Sequence, residues 1–278
     1  MIITGKIGMF YIGMAFVFSA NLSYSRDYDL IIAEDSLKTL FISLANTGSA
    51  DESVFLNQQI IRVLKNTLKN PDSFDYPFDS LPSLGSIYAS DGKLRIFTWN
   101  FSCSPSEYNY SGFLQFREKE SDEISLFFLN QIDTTRESLD SELFNHQSWY
   151  GALYYQVHTV MHSGKTYYTL IGFDLNNVFT NRKIVDILAI VEGSPVFGSP
   201  MFYFQNEIKH RIVFEYSSRV VMFLRYVSEK DMIVFDHLSP GSPRLIGQYR
   251  YYGPDFSYDA LRFQNGRWVH IPDIDWKK

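Results

Sequence analysis

The chain has 278 residues, of which 45% are hydrophobic and 20% charged, with a formal net charge of −6. That is enough apolar material for a large core, and it excludes long disordered stretches, which need low hydrophobicity with high net charge. An acidic chain without a concentrated basic stripe also makes a poor nucleic-acid binder, so no nucleic-acid partner is expected.

In chain order, the first segment reads as an address. Lys6 precedes an uncharged, largely apolar run over 7–20, and polar residues follow over 21–25. This is the order of a secretory signal peptide, with a small-x-small cleavage site at Ser23-Tyr24-Ser25 releasing a chain that starts at Arg26. Ala20 is a rival site, weakened by the bulky Phe18. An uncleaved anchor is the alternative, but the apolar run is short for a bilayer, so no membrane span is expected in the mature chain. The reading is of an exported protein, periplasmic or associated with the outer surface, with one mature domain over 26–278.

Two helices come next. Leu37, Leu40, Phe41 and Leu44 recur at helical spacing, with Asp35 or Ser36 able to cap the start and Gly48 the end. A second helix over 51–69 carries Leu56, Ile60, Leu64 and Leu68 on one stripe and stops at Asn70-Pro71. Together they predict an α-hairpin over 26–71 that needs an apolar partner.

From residue 84 the period changes to two, and a β-rich body over 84–278 is expected. Leu94, Ile96 and Thr98 alternate with Arg95, Phe97 and Trp99 after a Ser90-Asp91-Gly92 turn. Further strands are predicted over 112–117, 124–129, 151–160, 166–173, 183–191, 202–204, 211–216, 220–226, 232–236, 260–263 and 268–271. Gln264-Asn265-Gly266 is a hairpin turn. One helical interruption is predicted over 134–146. The fold class is therefore mainly β: an antiparallel sandwich or curled meander behind an N-terminal α-hairpin, with a small β-propeller as the alternative. Aromatic residues make up 17% of the chain. Sheet packing accounts for most of them, and a sugar-stacking platform is the minority reading.

The chemistry-bearing patterns are few. Cys103 is the one cysteine, so no intramolecular disulfide forms; Ser102-Cys103-Ser104-Pro105 reads as a loop with no activating base. His158 and His162 have four-residue spacing, but they fall in a strand rather than a helix and lack an intervening Glu. No metal site or cofactor is expected. Three Gly-Ser-Pro triplets, at 193–195, 198–200 and 241–243, read as turns, because none has the nucleophile-elbow pattern.

The densest polar–aromatic segment is 249–259, where Gly253-Pro254 suggests a loop presenting Tyr251, Tyr252, Asp255, Tyr258 and Asp259. Asp236-His237 is a second candidate place, and Asp174 with Asn176 and Asn177 a third. Acids mixed with rings suit a glycan cleft, although acids in β turns more often serve as turn caps.

Several segments carry a resemblance: 74–78 (FDYPF), 90–100 (SDGKLRIFTWN), 168–172, 197–200, 214–217, 233–238 and 252–259 (YGPDFSYD). On these the chain resembles a set of uncharacterised exported proteins of Bacteroides-type bacteria. The resemblance implies export and no assigned activity. The leading expectation is a non-catalytic binding or envelope-associated protein that recognises a glycan or protein partner. The alternative is a glycan-acting hydrolase using the acids of the three candidate places.

Overall fold

The structure is a computed structural model and describes residues 11–104, 107–118, 123–132 and 139–275, with side chains from residue 28 onward. Helix α1 (Tyr11–Asn46) leads into helix α2 (Ala50–Thr67). Ser49 caps α2 by accepting the Glu52 amide at 3.3 Å, and Asp51 and Glu52 sit favourably in the first turn. The expected cap at Asp35 or Ser36 is corrected: both lie inside α1, and the Ser36 hydroxyl donates back to the Ile32 carbonyl. Among the described residues no helix is long and apolar enough to cross a membrane.

The body is mainly β. Its strands are β1 (Gly85–Tyr88), β2 (Leu94–Ser104), β3 (Glu107–Arg117), β4 (Ile124–Asn130), β5 (Phe144–Asn145), β6 (Leu153–His162), β7 (Lys165–Asp174) and β8 (Thr180–Val191). Then follow β9 (Ser194–Phe197), β10 (Phe202–Phe204), β11 (Glu207–Lys209) and β12 (Arg211–Ser217). The chain continues through β13 (Leu224–Val227), β14 (Met232–Pro240), β15 (Tyr252–Gln264) and β16 (Arg267–Ile271). They build three open sheets. The first is the meander β1-β2-β3-β4. The second runs β5-β9-β8-β7-β6, with β12 also paired to β8, and the third runs β11-β10-β16-β15-β14-β13. Among the described residues these strands pair antiparallel except β10 with β16, and an isolated bridge between Gln131 and Trp149 is also parallel. The expected antiparallel body behind an α-hairpin is what the chain adopts.

Side-chain alternation shows how the layers stack. On β2, Leu94 and Ile96 face the second sheet, in a core with Leu170, Ile184 and Leu188. Phe97 and Trp99 face the other way and are covered by Leu37, Phe41, Ile60 and Leu64 of the helices. On β8, Ile184 and Leu188 belong to that first inter-sheet core, while Val185 and Ile187 join Phe235, Leu261 and Trp268 of the third sheet. The middle sheet is therefore buried on both faces, which its run Ile184-Val185-Asp186-Ile187-Leu188 already resembles. Most of the aromatic excess is core: Trp99, Trp149 and Trp268 are fully buried.

Several local expectations change. No helix forms over 139–146: Phe144–Asn145 is a strand and Leu143 is exposed. Residues 134–138 of that prediction lie outside the described residues. Cys103 sits at an irregularity near the end of β2, not in a loop, and its Sγ accepts from the Asn109 side-chain Nδ2. Burial raises its thiol pKa. The 220–226 strand shortens to β13, because Ser217 turns the chain by accepting the Arg219 amide. Gly253-Pro254 is no turn: Tyr252, Gly253 and Pro254 pair with Pro240, Ser239 and Leu238 inside the β14–β15 ladder. The predicted hairpin at Asn265-Gly266 forms, with both residues in the left-handed region.

Candidate functional site

A cleft of about 490 Å³ opens where β8, β12, β14 and β15 converge. Its apolar wall is Phe204, Phe214 and Phe235; its charged groups are Asp140, Arg182, Lys209, Glu215, Asp236 and Asp259; His237, Tyr249 and Tyr252 stand beside them.

Strand register positions the key group. Asp259 lies opposite Phe235, in the same β15 row as Leu261, which faces His270 on β16. That row points into the core between the second and third sheets, so an acid there requires partners. It has three. His237 Nδ1 and His270 Nε2 lie 3.1 and 3.0 Å from Asp259 Oδ2, and the Asp273 amide donates to Oδ1 at 2.9 Å. Burial on its own would raise the Asp259 pKa. The hydrogen bonds from His270, the Asp273 amide and His237 outweigh it and bring the value down to about 2. His270 is packed against Phe204, with ring centroids 4.5 Å apart. The His237 side chain is 44% exposed. Its two ring nitrogens face two carboxylates, Nδ1 toward Asp259 at 3.1 Å and Nε2 toward Asp255 at 3.9 Å.

The pH dependence follows in sign. A depressed carboxyl pKa adds stability that is present above the unfolded value and lost as pH falls through the folded one. Asp259 therefore stabilises the fold above pH about 4, and that contribution disappears between about 4 and about 2. Thermal melts of wild type and Asp259→Asn should differ at neutral pH and converge across that interval. A constant difference would contradict the arrangement.

The other cleft carboxylates are also paired. Glu215 accepts from Arg182 Nε at 2.8 Å and from the Thr180 hydroxyl at 2.8 Å. Asp140 accepts from Lys209 Nζ at 2.7 Å.

The eight sequence candidates divide. His237, Tyr252 and Asp259 come together in the cleft. Asp255 joins them at the edge, its carboxylate 3.9 Å from His237 Nε2. Burial works against its ionisation, but hydrogen bonds from Ser257 prevail and its pKa is lowered. Asp236 borders the cleft from β14, yet it pairs with Tyr258 while Phe235 pairs with Asp259, so the two acids point to opposite faces. Its carboxylate accepts the Phe223 amide at 2.6 Å. Tyr258 is half-buried on the outer face with Met232, Val234 and Ala260. Tyr251 is exposed beside a neighbouring shallow groove with Arg219, Val220 and Gly253.

Asp174 is a structural hub. It accepts from Tyr110 and Tyr150 hydroxyls at 3.1 and 3.2 Å and from the Asn176 amide at 2.8 Å, joining the first sheet to the second. Its burial raises its pKa.

Sequence reasoning misses Arg182, Lys209, Glu215, His270 and Asp140, because segments distant in sequence bring them together; Tyr249 lies in the 249–259 segment already singled out. The two strand histidines have other duties: His158 stacks on Tyr226 at 3.7 Å between centroids, and the His162 ring lies against Gly266. Among the described residues, no group of three or more His, Cys, Asp or Glu is arranged to hold a metal.

No protein-family model, no curated protein and no solved structure matches the chain.

Proposed function

We propose that the protein is an exported, non-catalytic binding protein that takes a hydroxyl-rich ligand, a glycan segment, into the cleft between β12 and β14–β15. The observation that carries the reading is the convergence there of exposed His237, the ionised Asp259, and the Tyr249 and Tyr252 rings. Paired carboxylates and imidazoles match sugar hydroxyls, which both donate and accept, and ring faces match the apolar faces of pyranoses.

Hydrolysis is the second reading, favoured by the number of acids lining one cleft. It needs an acid with a raised pKa to protonate the leaving group. The Asp259 value of about 2 works against that role, and Asp236 turns to the other face.

An array of immobilised plant and microbial polysaccharides tests both. The expected result is saturable binding that Tyr252→Ala weakens on the order of tenfold, with no shortening of the polysaccharide. Absence of binding to every polysaccharide would overturn the proposal. Release of reducing ends that Asp259→Asn abolishes would replace it with the hydrolase.

Export is part of the same proposal. Among the described side chains the first buried one is Leu30, so a cut after Ser25 leaves that packing intact. N-terminal sequencing of the protein from a periplasmic or secreted fraction should begin at Arg26. A chain still starting at Met1 would refute cleavage.

A further inference from the structure

Beside the cleft, four projecting turns carry large apolar side chains into solvent. Phe179 lies in the β7–β8 turn, Val221 in the turn after β12, and Ile246, Tyr249 and Tyr251 in the 3-10 turns before β15. Phe256 tops a bulge in which Asp255, Phe256 and Ser257 stand opposite the single residue His237. Exposure reaches 85% at Val221, 70% at Ile246 and 93% at Phe256.

Three of these turns, those carrying Phe179, Val221 and Tyr251, touch one another. The Ser218 amide donates to the Phe179 carbonyl at 3.0 Å. The Arg250 guanidinium lies over both the Phe179 and the Tyr251 rings, 5.4 and 4.8 Å from their centroids. Val220 lies 3.5 Å from where a Cβ on Gly253 would stand.

Phe256 is the most telling residue. Its φ is +72°, a left-handed backbone that is costly for an aromatic residue. The bulge is held by Ser257, whose amide and hydroxyl both donate to Asp255 Oδ1, at 3.2 and 2.7 Å. The result directs a phenyl ring outward into water, where it gains nothing unless something receives it.

The charge of the rim says what receives it. The segments 176–180, 217–222 and 240–257 hold Arg219, Arg244 and Arg250, all exposed, against one acid, Asp255. The whole chain carries a net charge of −6, so this is a locally positive, apolar-tipped rim on an acidic protein. Separate apolar tips with arginines between them fit a deformable anionic layer better than a flat protein face, because each tip can enter to its own depth.

We propose that this rim is a membrane-docking surface that seats the protein on an anionic phospholipid bilayer. Phe256, Val221 and Ile246 enter the interfacial region, Tyr249 and Tyr251 lie at headgroup level, and the arginines meet the phosphates. The cleft then opens at the membrane surface, but docking does not depend on what the cleft holds.

The test is co-sedimentation of the full chain with vesicles of equal parts phosphatidylglycerol and phosphatidylcholine, against phosphatidylcholine alone. The wild type should partition onto the anionic vesicles and be released by salt. Phe256→Ser should cut partitioning about tenfold. Arg219→Ala with Arg250→Ala should cut it roughly thirtyfold, about fivefold for the first and again for the second. All these positions are exposed, and matching circular dichroism spectra establish that the variants are folded. Failure of the wild type to sediment with anionic vesicles overturns the proposal, as does binding that the variants leave unchanged. A concentration-dependent dimer that Phe256→Ser dissolves would also overturn it, assigning the rim to a second copy of the chain.

Discussion

Arg211→Ala is expected to destabilise the protein by about 3–5 kcal/mol, measured by denaturant unfolding. Both Arg211 and Asp186 have no exposed side-chain surface, and Arg211 Nε donates to Asp186 Oδ2 at 3.0 Å. The guanidinium also donates to the Leu139 and Glu142 carbonyls and lies over the Phe144 ring. One side chain thus binds β8, β12 and the 139–144 segment together. Truncation strands the Asp186 carboxylate in a core where burial already pushes its pKa up. Gly198 belongs to the same device: its amide helps hold Asp186, and a Cβ there would stand 3.0 Å from Arg211 Nη2. The double change Asp186→Leu with Arg211→Met should recover more than half of the loss, because an apolar pair needs no partner. A single variant within about 1 kcal/mol of wild type would contradict this account.

Arg95→Lys should also cost about 3 kcal/mol or more, despite keeping the charge. Arg95 is fully buried and has no carboxylate partner within salt-bridge distance among the described residues. Its Nη1 instead donates to the Ser73, Phe74 and Tyr76 carbonyls at 2.7, 2.8 and 2.8 Å, and Nε to the Ser86 hydroxyl at 3.0 Å. The guanidinium lies 4.3 Å from the Tyr88 and Phe97 ring centroids. Burial lowers its pKa to about 10, which leaves it charged at neutral pH. A lysine ammonium is a point charge without the planar fork, so it can face the carbonyls but leaves the Ser86 hydroxyl without its Nε donor and cannot stack between two rings. The 3-10 turn at Pro71–Phe74 should lose its anchorage, and hydrogen exchange there should rise before the rest of the first sheet opens. Uniform loss of protection would contradict the local role.

Much of this was legible in the sequence. The period-two rows of β2 separate Leu94 and Ile96 from Phe97 and Trp99, and the two stripes of the α-hairpin predict that something must cover them. Arg95 shares its row with Phe97 and Trp99, a sign that it too is enclosed. The site was less legible. Gly253-Pro254 reads locally as a turn, yet a long antiparallel ladder overrides that preference and carries the strand back to Tyr252. His237, Asp259 and Tyr252 stand out locally as polar or aromatic residues near apparent turns. Asp236 stands out for the same reason, although its neighbour's register turns it away. Glu215, Arg182 and His270 join them only through pairings between residues 11 to 33 positions apart. No periodicity within one segment encodes such distances. The useful signal would have been an acid in an apolar row, Asp259 beside Leu261, which demands partners from neighbouring strands.

The central claim, a ligand seated in the cleft beside His237, is tested most directly by titrating a bound polysaccharide's soluble fragments while following the histidine side-chain NMR resonances. The His237 resonances should shift in a saturable way, and those of His146 and His162 should stay in place. Saturable binding that leaves His237 unmoved would put the ligand elsewhere and contradict the account.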